Sequence, residues 1–324
     1  MNDQTLNLLA SIVSNATPLV IASLGETITE RAGVTNLSLD GSIVLAAMAG
    51  FVAALTSGSV IIGLLVAMLV GAAVALLVAF GSIALRCDQV AVGFILTLLC
   101  ADLAQFLGQE YTRQPGPTVA FWPLPVLNNL PIVGRVLFEH NALVYFSYVL
   151  IFAAWWWMFK TRAGLAHRAV GERPEAAYAR GVRVNLLRYV YAAAGGALVG
   201  LAGASYSLSF KAGWTNPPVM RGDGWIALAI VIFGGWHPFR VVFGAYLFAA
   251  LRTLSTSIQQ DPNTQISPVL LNMLPWIFMI ATLLAVSSGG LERLLRLLPR
   301  PLQRPARNLL RSNPPAALGT RFDP

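Results

Sequence analysis

Apolar residues run along this chain in long unbroken blocks, and polar residues gather between them. A helix needs about 20 mostly apolar residues to cross a bilayer. Windows of that size pick out nine candidate spans: 6–25, 37–57, 60–85, 89–108, 141–159, 189–210, 222–236, 239–258 and 269–288. The blocks are continuous rather than alternating, which excludes a transmembrane barrel. The seventh is short and is expected to be tilted, broken or re-entrant. The first has little positive charge ahead of it and does not read as a usual signal peptide. The predicted fold class is all-α, a polytopic transmembrane helical bundle with broken helices. Its membrane domain covers 1–290 and a basic tail covers 291–324.

Composition supports the same class. Hydrophobic residues make up 56% of the chain and charged residues 11%, against roughly a quarter charged in soluble domains. Too few charges remain to cover a water-facing surface. The net charge of +8 would suggest nucleic acid in a soluble protein, but its placement gives another reading. The segment 160–188 holds seven of the 22 Lys and Arg, and 289–324 holds seven more. Positive charge marks cytoplasmic segments. Both stretches are therefore expected inside, with the Arg-poor loops 109–140 and 259–268 outside. Nine alternating spans then place the N-terminus outside and the C-terminus in the cytoplasm. Nucleic acid is not expected as a partner, since no groove-reading motif accompanies the charge.

Small residues recur every fourth position in the third span (Gly63, Ala67, Gly71, Ala75, Ala79) and return as Gly196 and Gly200 in the sixth. Such ridges let backbones approach closely in lipid; they serve either packing within the chain or a subunit interface. Two polar, glycine-bearing stretches interrupt apolar blocks: ERAGVTNLSLDG from Glu30 to Gly41, and TNPPVMRGDGW from Thr215 to Trp225. Irregular backbone at membrane depth survives only where protein or water covers it. The first stretch is read as either a route-lining break or an interfacial loop. The second reads rather as an external loop.

Catalytic chemistry is sparse. There is no GxxxxGK[ST] phosphate loop and no HExxH. Cys87, Cys100, His140, His167 and His237 form no metal-ligand spacing, so no metal site is expected. Asp102 is read as the acid inside an apolar span, with Gln105 on the same helix face. It has either a packing role or a place on a translocation route. Between the fifth and sixth spans, GERPEAAYARGV predicts a short helix. Pro174 suits its first turn, Glu175 suits its dipole, alanines favour it, and Gly181 stops it. A small-faced helix among arginines fits either insertion into a cleft on another protein or a solvated loop. The proline-rich loop 109–140, with Trp122, either meets an external partner or covers the bundle end.

These residues carry a resemblance. GERPEAAYARGV resembles the cytoplasmic coupling motif of ABC importer permeases. ERAGVTNLSLDG is similar to the signature near the N-terminal end of permeases in the branched-chain amino acid, ribose and nucleoside superfamily. GDGWIALAIVIFGGWHPF resembles a block of the nucleoside and simple-sugar branch, and the three occur in the expected order. Asp40 stands where that branch usually has Glu. The resemblance implies a type II-like ABC importer permease in a bacterial inner membrane, itself without enzymatic activity. ATP and Mg would be used by a partner and no cofactor would be held in this chain. Implied partners are a second permease, forming a heterodimer, two ATPase subunits, an extracytoplasmic solute-binding protein and the lipid bilayer. Carried over, Glu172, Pro174, Glu175, Ala176, Ala177 and Gly181 would form the ATPase-coupling element. Asn36, Asp40 and Gly41, in a broken segment with Glu30, Arg31 and Gly33, would lie on the translocation route, where Asp102 is also a candidate. Gly222, Gly224 and Trp225 belong to the third block. The implied cargo is a nucleoside, purine or simple sugar; the alternatives are a branched-chain amino acid, or an ion-coupled secondary transporter.

Overall fold

The computed structural model describes residues 3–125, 127–130, 132–260, 266–287 and 313–323. Its α-helices are α1 (Asp3–Arg31), α2 (Leu39–Ser57), α3 (Val60–Ile83), α4 (Gln89–Leu107), α5 (Val133–Leu137), α6 (Ala142–Lys160), α7 (Arg162–Glu172), α8 (Pro174–Ala179), α9 (Val184–Ser205), α10 (Asp223–Phe233), α11 (Pro238–Gln259) and α12 (Pro268–Ser287). Among the described residues there is no strand, only isolated bridges between Thr112 and Trp214 and between Phe121 and Asn141. Among the described residues, seven helical segments are long and apolar enough to cross a membrane, and two shorter apolar ones, Asp223–Phe233 and Val269–Leu284, complete the nine. All nine predicted spans are therefore helical. The predicted outer loop 259–268 is described only in part, with 261–265 outside the described residues.

Local chemistry sets the boundaries. Asp88 caps α4 by accepting from the Ala91 amide at 2.9 Å, and Asn141 caps α6 by accepting from Leu143 and Val144. Gly58 ends α2 in a left-handed conformation. At its far end α9 widens into a π turn, Tyr206–Phe210.

Helix α1 is the axis of the bundle. It packs against α9, α11, α10 and α6, and is buried from Ala16 to Glu30. Helices α2 and α9 also lie inside, with α3 and α4 flanking them. The small-residue ridge of α3 packs inside this chain. A methyl group at Gly71 would meet the backbone of Gly196 and Gly200, and one at Gly63 would meet Gly50 and Ala54. The outer faces of α3, α4 and α6 remain apolar: Ile61, Leu69, Ile95, Phe106, Val149 and Phe152 are all exposed. A soluble monomer does not show so broad an apolar belt, and here it is the lipid- or partner-facing surface of a multi-pass protein.

Two features change the predicted map. Helix α1 runs six residues past the predicted span end, to Arg31, so Glu26 and Glu30 lie inside it and Asp102 is not the lone acid of the spans. The polar stretch Glu26–Glu30 resembles a loop by hydropathy, but neighbouring helices bury it. The second concerns the basic tail. Residues 291–312 lie outside the described residues, yet 313–323 packs onto the bundle end that bears α7 and α8.

Candidate functional site

Three stretches that are far apart in sequence meet near the end of α1. After Arg31 the chain does not leave the bundle. It turns back, so that the Asn36 amide donates to Glu26 Oε1 at 3.3 Å and residue 36 sits level with residue 26. The returning segment 32–38 is buried or half-buried throughout. Asn36 Oδ1 accepts from the Ser38 amide at 3.1 Å and the Ser38 hydroxyl at 2.5 Å, a local turn of the kind Asn favours. From outside, α4 holds the segment: Gln89 Oε1 accepts from the Thr35 amide at 2.7 Å, and Thr97 Oγ1 donates to the Leu37 carbonyl at 2.7 Å. Helix α2 thus begins at depth within the bundle. Burial removes the plain interfacial-loop reading of ERAGVTNLSLDG and leaves the broken one.

The third block provides a mirror to it. The backbone descends from Trp214 to Gly222, and α10 starts opposite the start of α2. Asp40 Oδ1 accepts from the Gly222 amide at 2.7 Å and the Gly224 amide at 3.1 Å. An acid at a helix N-terminus satisfies orphan amides and complements the dipole. In TNPPVMRGDGW, Thr215, Asn216, Pro217, Val219 and Arg221 are exposed, as in a loop, whereas its last residues are anchored inside on Asp40, where Gly222, Asp223 and Gly224 are buried. With 11 residues, α10 rises about 16 Å, roughly half a hydrocarbon core. At its lower end Trp236 Nε1 donates to Glu30 Oε2 at 2.5 Å, and Arg31 Nε donates to the Trp236 carbonyl at 3.0 Å.

Helices α7 and α8 complete the meeting point. Arg31 Nη1 lies 3.9 Å from Glu172 Oε1. His167 is fully buried and its Nε2 donates to the Ile28 carbonyl at 2.8 Å; that carbonyl only accepts, so Nε2 carries the hydrogen. Burial pushes the His167 pKa down from 6.5 to about 4, outweighing the carbonyl bond. The predicted short helix is present as α8, with Pro174 in its first turn and Gly181 at positive φ just past its end. Its two faces differ. Pro174 and Ala177 point inward, whereas Glu175, Ala176, Tyr178 and Ala179 are exposed. Ala177 packs with Val170, Val184 and Phe322, so it supports the helix and does not present to a partner. Glu172 and Gly181 are also exposed.

Of the route candidates, the structure gathers Asn36, Asp40 and Gly41 and sets Asp102 apart. Gly41 packs so closely on α4 that a methyl group would meet the Thr97 backbone. Asp102 lies exposed on the outer face of α4 beside Leu103 and Phe106. It therefore belongs to the belt and not to the interior of this chain. Among the described residues the interior acids are Glu26, Glu30, Asp40 and Asp223. Glu26 Oε2 has no hydrogen-bond partner among the described residues. Asp223 meets Arg252 of α11 through both guanidinium ends, Nη1 donating to Oδ2 at 2.8 Å and Nη2 to Oδ1. Sequence reasoning missed this pair and Glu26. Their signals were an Arg deep within an apolar block and two acids four residues apart. Among the described residues no His, Cys, Asp and Glu cluster could hold a metal ion.

Residues 8–286 match the family model described as the permease component of branched-chain amino acid transport systems. A putative glucose ABC transporter permease of Haloferax volcanii is 38% identical over 272 residues, 81% of this chain and 82% of that protein. A nucleoside ABC transporter permease of Lactococcus lactis is 32% identical over 294 residues, covering 86% and 92%. A guanosine ABC transporter permease of Bacillus subtilis is 31% identical over 284 residues, covering 83% and 88%. No solved structure matches.

Proposed function

The chain belongs to the permease family of branched-chain amino acid transport systems, and on that premise we propose that it is the membrane subunit of an ATP-driven importer of a nucleoside or simple sugar. The observation that carries this reading is the exposed face of α8, set on a buried base beside the break after α1. A cytoplasmic ATPase dimer docks there and displaces α8. The chain itself performs no catalysis; ATP and Mg are bound by the ATPase partner. A solute-binding protein delivers cargo at the opposite end, and a second, different permease chain packs on part of the exposed belt. The glucose, nucleoside and guanosine transporters among its relatives favour sugar or nucleoside cargo over branched-chain amino acids.

The charge bias supports an orientation with the N-terminus outside and α7–α8 in the cytoplasm of a bacterial inner membrane. An impermeant thiol reagent applied to intact cells should then label Trp122→Cys and not Tyr178→Cys, in a background with Cys87 and Cys100 replaced.

Reconstitution tests the function. Vesicles holding this chain, the second permease and the ATPase are given the binding protein and radiolabelled guanosine, adenosine, ribose, glucose or leucine. Uptake should require ATP and every subunit. The interior acids Glu26, Glu30 and Asp223 give an ion-coupled carrier its one specific argument. Accumulation by this chain alone on an ion gradient, without nucleotide, would establish that rival and end the importer reading.

A further inference from the structure

The family match stops at residue 286, but the described segment 313–323 is built into the coupling end of the bundle. Its contacts reach four elements. The Ala317 amide donates to the Gly171 carbonyl of α7 at 2.8 Å, and the Gly319 amide donates to the Gly33 carbonyl of the break at 3.1 Å. Arg188 of α9, itself buried, donates from Nη1 to the Thr320 carbonyl at 2.9 Å. Phe322 then inserts beneath α8. It is 9% exposed, packs with Val170, Ala177 and Val184, and its ring lies 5.6 Å from that of Tyr178.

We propose that residues 313–323 form a strap that belongs to the coupling apparatus, carrying displacement of α8 to the break between α1 and α2. The proposal rests on the function proposed above, because it needs an ATPase that moves α8. Helix α8 has six residues and packs on its chain neighbours α7 and α9, a small base for a lever. The strap touches the underside of that lever at Phe322 and the break at Gly319, and the Arg188 guanidinium holds the Thr320 carbonyl between them. A packed element joining two sites transmits a bias only when both ends shift its equilibrium. Phe322 and Gly319 provide those two ends. The exposed Arg86–Asp323 pair, at 3.2 Å with both side chains about 70% open to solvent, adds little. The strap acts by positioning; no part of it touches solute or nucleotide.

The test compares the full chain, a chain ending at residue 312, Phe322→Ala and Phe322→Leu, each in the complete complex. ATP hydrolysis and uptake of guanosine and glucose are measured on the same vesicles, with ATPase retention on the purified complex as control. Loss of the strap should leave ATPase retention and basal hydrolysis near the full-chain values. Solute moved per ATP should fall at least ~5-fold in the truncation and in Phe322→Ala, with Phe322→Leu restoring most of it. Should the truncated chain fail to accumulate in the membrane, Phe322→Ala decides. Full-chain stoichiometry in Phe322→Ala and in any truncation that accumulates overturns the proposal. So does loss of ATPase retention in step with uptake, which would make the strap a brace for docking alone. A full-length complex that takes up neither solute counts against the proposed function instead. The strap is then judged on hydrolysis: stimulation by the binding protein that survives both variants overturns it, and stimulation lost in both upholds it.

Discussion

His167 and Asp223 show what burial does to single side chains here. The folded protein keeps His167 neutral down to about pH 4, whereas an exposed imidazole protonates near 6.5. Above pH 6.5 neither state holds that proton, and the contact contributes fully. As pH falls from 6.5 towards 4, only the unfolded chain gains the proton, so stability declines by up to ~3 kcal/mol. Unfolding temperature in detergent should drop across that window, and His167→Gln, which keeps a donor for the Ile28 carbonyl but does not titrate, should flatten the slope. Asp223 is 0% exposed. Asp223→Asn leaves the Arg252 guanidinium facing a neutral partner, at a cost of about 3 kcal/mol, seen as a lower unfolding temperature in the same assay. Pairing it with Arg252→Gln should recover much of the loss, because removing both charges costs less than stranding one. Asp40, Asn36 and Glu172 stood out in the sequence because short motifs carry them. Glu26 and Arg252 did not, because their roles depend on which helix lies opposite, and hydropathy windows are blind to that.

Helix α8 was legible as an element, since proline, glutamate, alanines and glycine each sit where helix chemistry wants them. Which face it shows was not legible: six residues are too few to display a period, and the covering piece, Phe322, lies far down the chain. The two faces give opposite predictions for adjacent alanines. Ala176→Glu places a charge on the exposed side and should sharply reduce ATPase stimulation and uptake while unfolding temperature stays within about 0.5 kcal/mol of the parent in equivalent free energy. Ala177→Glu places the same charge against Val170 and Val184 and should lower unfolding temperature first, by about 2 kcal/mol or more in equivalent free energy. Comparing the two by thermal melt and by ATPase assay separates docking from packing. The spans themselves were readable wherever an apolar block meets lipid. They were misread where protein replaces lipid, as in the last six residues of α1.

Taken whole, the molecule is a bundle whose apolar core holds buried acids and whose exterior carries a broad apolar belt. Glu26, Glu30, Asp40 and Asp223 are buried within, and Asp102 stands among exposed apolar side chains on α4. Because Asp102 supports nothing inside this chain, Asp102→Leu should leave the melt of the isolated chain within about 0.5 kcal/mol of the parent. Any loss should appear only in assembly with the proposed second permease, measured by co-purification. The half-length of α10 has a consequence for how the protein is made. Eleven residues cannot bridge the oil by themselves, so a ribosome-bound chain that has just emitted them has nowhere to leave them in lipid. They must wait for a cradle that α1 and α2 have already formed, with Asp40 facing the incoming amides. The expected order of assembly is therefore amino-terminal half first, with the carboxyl-terminal half laid down on it.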